Sequence, residues 1–340
     1  MNGKFLLGSY GGTSVYDPST GSITDNDDKN LLHEINFFKE DNRGNIWCLA
    51  QRSVRVFKIT NEQVENIKQY KIQGNIRGIN DLKIDHKGRI LVATNGAGMA
   101  VFDTLSKSFT HVNANSSPPS QITNSSTTAI CEDHNNCIWI GTQRGINKIE
   151  KDGITVKQYS QNKNNSVLLS HWWVNDIKED KQGIIWFTAN ENGIGRIDPR
   201  DDSISFFNIA QGLPTCWFDQ LCIDEDGNLW ALSKMGILNL NVVTLQNRLY
   251  TEKEGFPSPD NIETIHYSSF TKKLYILTHN SILEVNSKKP IYRDKIPQTT
   301  ITGFSIFSRE QPFPASNQIT LNYNQTFYRY TVCLPFVPLQ

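Results

Sequence analysis

The sequence predicts an all-β chain: a seven-bladed β-propeller with a partial first blade, followed by the opening strands of a β-sandwich. Two observations carry this. One motif returns six times at nearly even spacing, and each copy reads as short strands joined by hairpin turns, with no convincing helical period.

Five segments align: residues 35–47, 79–91, 127–139, 174–186 and 218–230. Each has an Asp (Asp41, Asp85, Asp133, Asp180, Asp224), a Gly or Asn three positions later, and a Trp or Leu three after that. A sixth copy, 262–275, keeps the hydrophobic frame without the Asp and Gly. The anchors Trp47, Leu91, Trp139, Trp186, Trp230 and Tyr275 are separated by 44, 48, 47, 44 and 45 residues. That is the length of a propeller blade; a parallel β-helix needs a shorter repeat.

Each element follows from local chemistry. Apolar residues alternate before the Asp, as at Ile177 between Asp176 and Lys178, which gives a half-buried first strand. Asp-x-x-Gly makes a hairpin turn: Asp caps backbone N–H groups and Gly takes the positive φ. Ile-Trp then opens a second strand. A third follows a Gly, as at 145–150 and 193–198, and a fourth closes the unit, as at 109–112, 155–159 and 204–207. Residues 5–23 match the last three strands of a blade, so the inner strand of blade 1 is missing. An unpaired edge is a liability. Either a C-terminal strand fills the gap or the chain is a piece of a longer protein, and the second is favoured. The pattern breaks near the end. Residues 299–307 form a strand with no blade turn, and 319–333 alternate with aromatics at Tyr323, Phe327, Tyr328 and Tyr330. The expected division is a propeller over 1–296 and a sandwich fragment over 297–340.

Composition narrows the function. The 34 Lys and Arg balance the 34 Asp and Glu, which gives no electrostatic case for nucleic acid or an anionic membrane. With 38% hydrophobic residues the chain is globular, and no apolar run is long enough for a membrane span. Its first residues do not read as a signal peptide. The six Cys show no C-x-x-C, so packed free thiols are expected rather than zinc; a Cys131–Cys137 cross-strand bridge is the minor alternative. No G-x-S-x-G, H-E-x-x-H or phosphate-binding Gly loop is present, and no cofactor is expected.

The pattern Glu-Asp-x-x-Gly-x-Ile-Trp-x-Gly-Thr-x-x-Gly-Ile, best preserved at 132–146, resembles the two-component regulator propeller repeat. The segment from about Pro297 resembles the start of the Tyr-rich (Y_Y_Y) immunoglobulin-like domain that follows such propellers. Together they resemble part of the periplasmic sensor region of hybrid two-component system proteins. That family has two propellers, the sandwich, a membrane helix, and then a kinase, receiver and helix-turn-helix module. The resemblance implies oligosaccharide sensing, regulation of glycan-use genes, a periplasmic location in the parent, and a homodimer through the sandwich. It also implies that this chain is a truncated piece, able to bind but not to phosphorylate.

The repeated Trp positions are demanded by packing between sheets, and the repeated Asp positions by turn capping. Those Asp lie on the face opposite the loops that lead into the first strands, too far apart around the ring to share an ion. His33, His86, His134 and His266 read as solvated or packed. Binding is expected where the repeat fails: in the leading loops and in the turns between second and third strands, which share one face. The leading loops hold Arg77, His171, Trp172, Trp173 and Trp217; the turns hold Gln143, Arg144, Asn190, Glu191 and Lys234. Aromatic faces stack on a sugar ring while amide and Arg donors meet its hydroxyls. Two other roles stay open: an interaction scaffold, where Trp172, Trp173 and Trp217 bury against the sandwich or a second protomer, and a lyase or glycosidase using Glu191 with Asp260.

Overall fold

The computed structural model describes residues 4–9, 12–25, 35–60, 63–159, 173–286, 300–306, 309–311 and 328–333. The chain divides into two compact units, Met1–Ser287 and Lys288–Gln340. The first is a seven-bladed propeller whose sheets follow one another in sequence order.

Blade 4 shows the plan. Thr127–Glu132, Ile138–Thr142, Gly145–Ile149 and Val156–Tyr159 pair antiparallel in that order. Blades 2, 3, 5 and 6 repeat it, with first strands Ile35–Glu40, Gly78–Ile84, Val174–Glu179 and Gln220–Ile223. Among the described residues blade 7 has three strands, Ile262–Ser268, Lys273–Thr278 and Ile282–Val285. Blade 1 also has three, Phe5–Ser9, Gly12–Asp17 and Ser22–Asp25, and they correspond to the second, third and fourth strands of a full blade.

The second strands of blades 2, 4 and 5, at 46–50, 138–142 and 185–189, are buried at every position because both faces meet a neighbouring blade. Apolar clusters join consecutive blades. Leu49, Val54, Leu82 and Val92 join blades 2 and 3. Ala129, Trp139, Val174 and Phe187 join blades 4 and 5. Leu6 of blade 1 leans on Ile46 and Phe57 of blade 2. Each such aliphatic side chain contributes about 1.5–3 kcal/mol on burial. Gly195 serves this packing, since a Cβ there would come 2.1 Å from Phe187 Cζ. At the seam of blades 1 and 7, Tyr16 Oη donates to Glu284 Oε1 at 2.6 Å and the rings of Phe5 and Tyr275 lie 4.6 Å apart.

Among the described residues the only helical pieces are three short 3-10 turns. No described helix is long and apolar enough to cross a membrane. Cys131 and Cys137 are free thiols, so the cross-strand bridge does not form. In the second unit, Thr300–Ile306 pairs with Arg309–Gln311 and with Tyr328–Cys333. This is a single sheet; the expected sandwich is not found among the described residues, and 319–327 of the expected long strand lie outside them. The expected boundary at 296/297 also falls outside the described residues.

Candidate ligand-binding site

The propeller has two unlike faces. On the hairpin-turn face the repeated Asp does one job in each of the five blades that carry it. Asp180 Oδ1 accepts from the Gln182 and Ile184 amides at 2.9 Å, and its Oδ2 accepts from Trp186 Nε1 at 2.7 Å. Asp41, Asp133 and Asp224 hold Trp47, Trp139 and Trp230 in the same way, at 2.9, 2.8 and 3.0 Å. Blade 3 has Leu91 at the anchor, and there Arg89 Nε donates to Asp85 at 2.7 Å instead. The Gly three residues on takes the positive φ the turn needs, 78° at Gly183. Burial alone would raise the Asp41 pKa, but the bonds from Asn45, Trp47 and the turn amides hold it below the ordinary value. The expected capping and Trp packing are therefore both present. The bond that ties one to the other was not foreseen, although the constant spacing of six residues was its signal.

The same face carries clamps between blades. Glu132 of blade 4 accepts from the backbone and Nδ1 of His86 in blade 3, and Glu179 of blade 5 does the same for His134 in blade 4. Asp85, His86 and Glu132 bring ligand atoms within 4.8 Å of one another. Their oxygens are already taken by the turn amides, Arg89 and His86, and the His–Glu pairing recurs one blade on, which fits a clamp better than an ion site.

The leading-loop face carries the candidate residues. His171 and Trp172 lie outside the described residues. The other eight fall on blades 3 to 6, linked loop to loop. Arg77 N donates to Asn95 O at 2.8 Å, and Ser126 Oγ donates to Asn95 Oδ1 at 2.9 Å, tying blade 3 to blade 4. Gln143 N donates to Ser126 O at 3.2 Å, with Arg144 exposed beside it. Thr128 Oγ1 donates to Val174 O, which brings the Trp173 loop against blade 4. Asn190 N donates to Trp173 O at 3.0 Å. Asn175 Nδ2 donates to Asn190 Oδ1 at 2.7 Å and to Phe218 O at 2.9 Å, joining the Trp217 loop. Asp219 N donates to Leu232 O at 2.9 Å, placing the Lys234 turn next in line. Trp173 and Trp217 are 46% and 50% exposed, on adjacent blades, with the Asn190–Glu191 turn between them. Glu191 sits at the turn's left-handed position, φ 68°.

The first strands add a feature that sequence reasoning missed. The residue after each core position is Lys39, Lys83, Cys131, Lys178, Cys222 or His266. Of these, Lys39, Lys83, Lys178 and His266 stand near enough to one another on the inner strands to interact electrostatically, while Cys131 and Cys222 pack against the inter-blade core. Lys39 is reached by solvent yet walled in by protein; that enclosure pushes its pKa down to about 8, Lys83 adds to the fall, and Asp81 opposes it. Enclosure takes His266 down to about 4, helped by Lys39, Lys178 and Lys83. Enclosure would also lower Lys178, but its pair with Asp176 raises it instead. Asp81 and Asp176 each accept from the next first strand, from Ile130 N and Leu221 N at 2.9 Å, and so staple the inner ring. The only signal in the sequence was position, because the residue types change from blade to blade.

Fold and repeat define a β-propeller that carries a two-component regulator repeat. Residues 120–144 match the family described as two component regulator propeller. Among solved structures, the chain is similar to the extracellular domain of the hybrid two component system BT3049 of B. thetaiotaomicron, at 21% identity and a TM-score of 0.75, covering 98% of this chain and 45% of that one. It is similar to the extracellular domain of the one component system BT4673 of B. thetaiotaomicron, at 16% identity and a TM-score of 0.58, covering 97% of this chain and 59% of that one. It is also similar to virginiamycin B lyase of Staphylococcus aureus, at 16% identity and a TM-score of 0.57, covering 76% and 86%. The chain therefore spans about half the length of the extracellular domains it matches. At these identities the likeness shows the fold, which sensor-type domains and lyases share. No curated protein sequence matches the chain.

Proposed function

We propose that the chain is the ligand-binding part of an extracytoplasmic sensor of the hybrid two-component kind, reading an oligosaccharide on its leading-loop face and so regulating genes for glycan use. The observation that carries this reading is the pair Trp173 and Trp217, half exposed on adjacent blades, with the amide-rich turn at Asn190 between them. The scaffold does not require these rings: the core positions of the same blades are filled by Trp186 and Trp230. Two indoles flanking amide groups suit a sugar whose C–H faces stack and whose hydroxyls hydrogen-bond. Gln143, Arg144 and Lys234 supply further donors along the arc, and Arg77 extends it to blade 3. The regulator repeat at 120–144 supports the signalling context. Transmission to a kinase, the Tyr-rich sandwich, and a dimer through it belong to the same proposal for the whole protein. The chain's own role is binding, without catalysis or a cofactor.

A glycosidase would need neighbouring carboxylates. Glu191 stands on blade 5 and Asp260 in the loop leading to blade 7, with blade 6 between them, which speaks against a shared reaction centre. The test is a tryptophan-fluorescence titration with a panel of glycan fragments. A saturable change with one fragment, lost in both Trp173→Ala and Trp217→Ala, is the expected result. Silence across the panel overturns the sugar reading in favour of an interaction scaffold. Turnover of a fragment that disappears in Glu191→Gln overturns it in favour of an enzyme.

A further inference from the structure

Resting on the sugar reading above, we propose that the oligosaccharide is an acidic one: a carboxylate or sulfate on it is held by Arg77 of blade 3 and Arg144 of blade 4, while a neighbouring ring stacks on Trp173. The leading-loop face is unevenly charged. Its connections over blades 3 and 4, residues 72–77, 96–97, 113–126 and 143–144, contain no Asp or Glu, and neither does 160–173, which leads on to blade 5. The same face of blades 5 to 7 brings Glu191, Asp219, Glu252, Glu254 and Asp260. Arg77 and Arg144 are exposed, and neither forms an ion pair with a described residue. On the turn face, by contrast, Arg89 and Arg200 are paired with Asp85 and Asp198 at 2.7 and 2.5 Å.

The two arginines are anchored to each other through the backbone. Arg77 N donates to Asn95 O at 2.8 Å, Ser126 Oγ donates to Asn95 Oδ1 at 2.9 Å, and Gln143 N donates to Ser126 O at 3.2 Å. Arg144 N in turn donates to Thr142 Oγ1 at 3.0 Å. The bond from Thr128 Oγ1 to Val174 O carries the line on to Trp173. Pinned backbones lower the entropy lost when a ligand is clasped. A guanidinium holds two oxygens of a carboxylate or sulfate through parallel N–H bonds, and the opposite charge strengthens both. A neutral hydroxyl gains little from that fork. Two such forks on adjoining blades, with no acid in the connections around them, therefore select an anion. The charge pattern also sets the direction of the ligand. Its acidic end belongs over blades 3 and 4, and its uncharged part runs toward Trp217, because an acid there would meet the carboxylates of blades 5 to 7.

The test titrates the whole chain with matched pairs by tryptophan fluorescence: an oligogalacturonide against its methyl ester, and a galactan oligomer carrying sulfate against the same oligomer without it. The acidic member of one pair should bind about tenfold or more tightly than its neutral partner, and added salt should narrow the gap. The pair that responds names the acid as carboxylate or sulfate. Arg77→Gln and Arg144→Gln should each shrink the preference, and Arg144→Glu should reverse it. Thermal unfolding of these variants should not move, since both side chains are exposed, so that a lost preference is not a lost fold. Arg200→Gln, on the turn face, should leave the preference intact. If it erases the preference as well, the attraction is diffuse and the proposal falls. Neutral members that bind as tightly as the acidic ones overturn the proposal and leave the sugar reading standing, as does a response confined to neutral glycans. Silence from every glycan overturns both.

Discussion

The two faces of the propeller are made by different rules. On the turn face, Asp41, Asp133, Asp180 and Asp224 each cap two amides and one indole, with almost the same distances. On the leading-loop face the side chains change around the ring: blades 5 and 6 present Trp173 and Trp217, whereas blade 3 presents Arg77. Where geometry must repeat, chemistry repeats. Where the connections only have to reach the next blade, residues are free to serve something outside the fold.

Substitution should separate the faces by size of effect. Trp139→Ala, at a site with no solvent exposure, removes an inter-blade ring and leaves Asp133 without its indole, and should cost about 3–5 kcal/mol in denaturant unfolding. A smaller loss would mean that the repeated Trp is not what holds the blades together. Asp180→Ala strands two turn amides and the Trp186 N–H, and about 1–3 kcal/mol is expected in the same assay. Trp217→Ala should change stability by no more than about 0.5 kcal/mol yet abolish the fluorescence response to a bound glycan. A large destabilisation there would make Trp217 a packing residue and dissolve the contrast.

The clamps give the smallest effect and a pH signature. His134 titrates above the ordinary imidazole value because it hydrogen-bonds and pairs with Glu179. Its stabilising contribution is complete below about pH 6.5, the unfolded imidazole value. It fades as pH rises through the raised folded value. NMR titration should place His134 above an ordinary His, and Glu179→Gln should bring it back. An unmoved midpoint would show that the clamp is not formed.

The blade plan was legible because spacing and turn chemistry are local. Asp-x-x-Gly followed by Ile-Trp names a hairpin and the buried residue beyond it, and the strands fell where alternation put them. The partial first blade was legible for the same reason. What escaped was everything that pairs across a blade. Glu132 and His86 are 46 residues apart, and no local signal marks either; the His residues read instead as solvated or packed. The inner-strand set escaped because Lys, Cys and His share only a position, not a chemistry. The candidate loops were found by a negative rule, the failure of the repeat. That rule located an arc over blades 3 to 6 but not its loop-to-loop links, which run through Asn95, Ser126, Asn175 and Asn190.

The enclosed Lys39 amine also has a chemical consequence. With its pKa at about 8, about a tenth of the side chain is an uncharged nucleophile at neutral pH, against fewer than about one in a thousand for an ordinary lysine. A limiting dose of an amine-acylating reagent should therefore modify Lys39 ahead of the surface lysines, as read by peptide mass mapping. Uniform labelling would show that the amine is ordinarily hydrated. A tagged Lys39 would report directly on whether the channel beside blade 1 is open or filled.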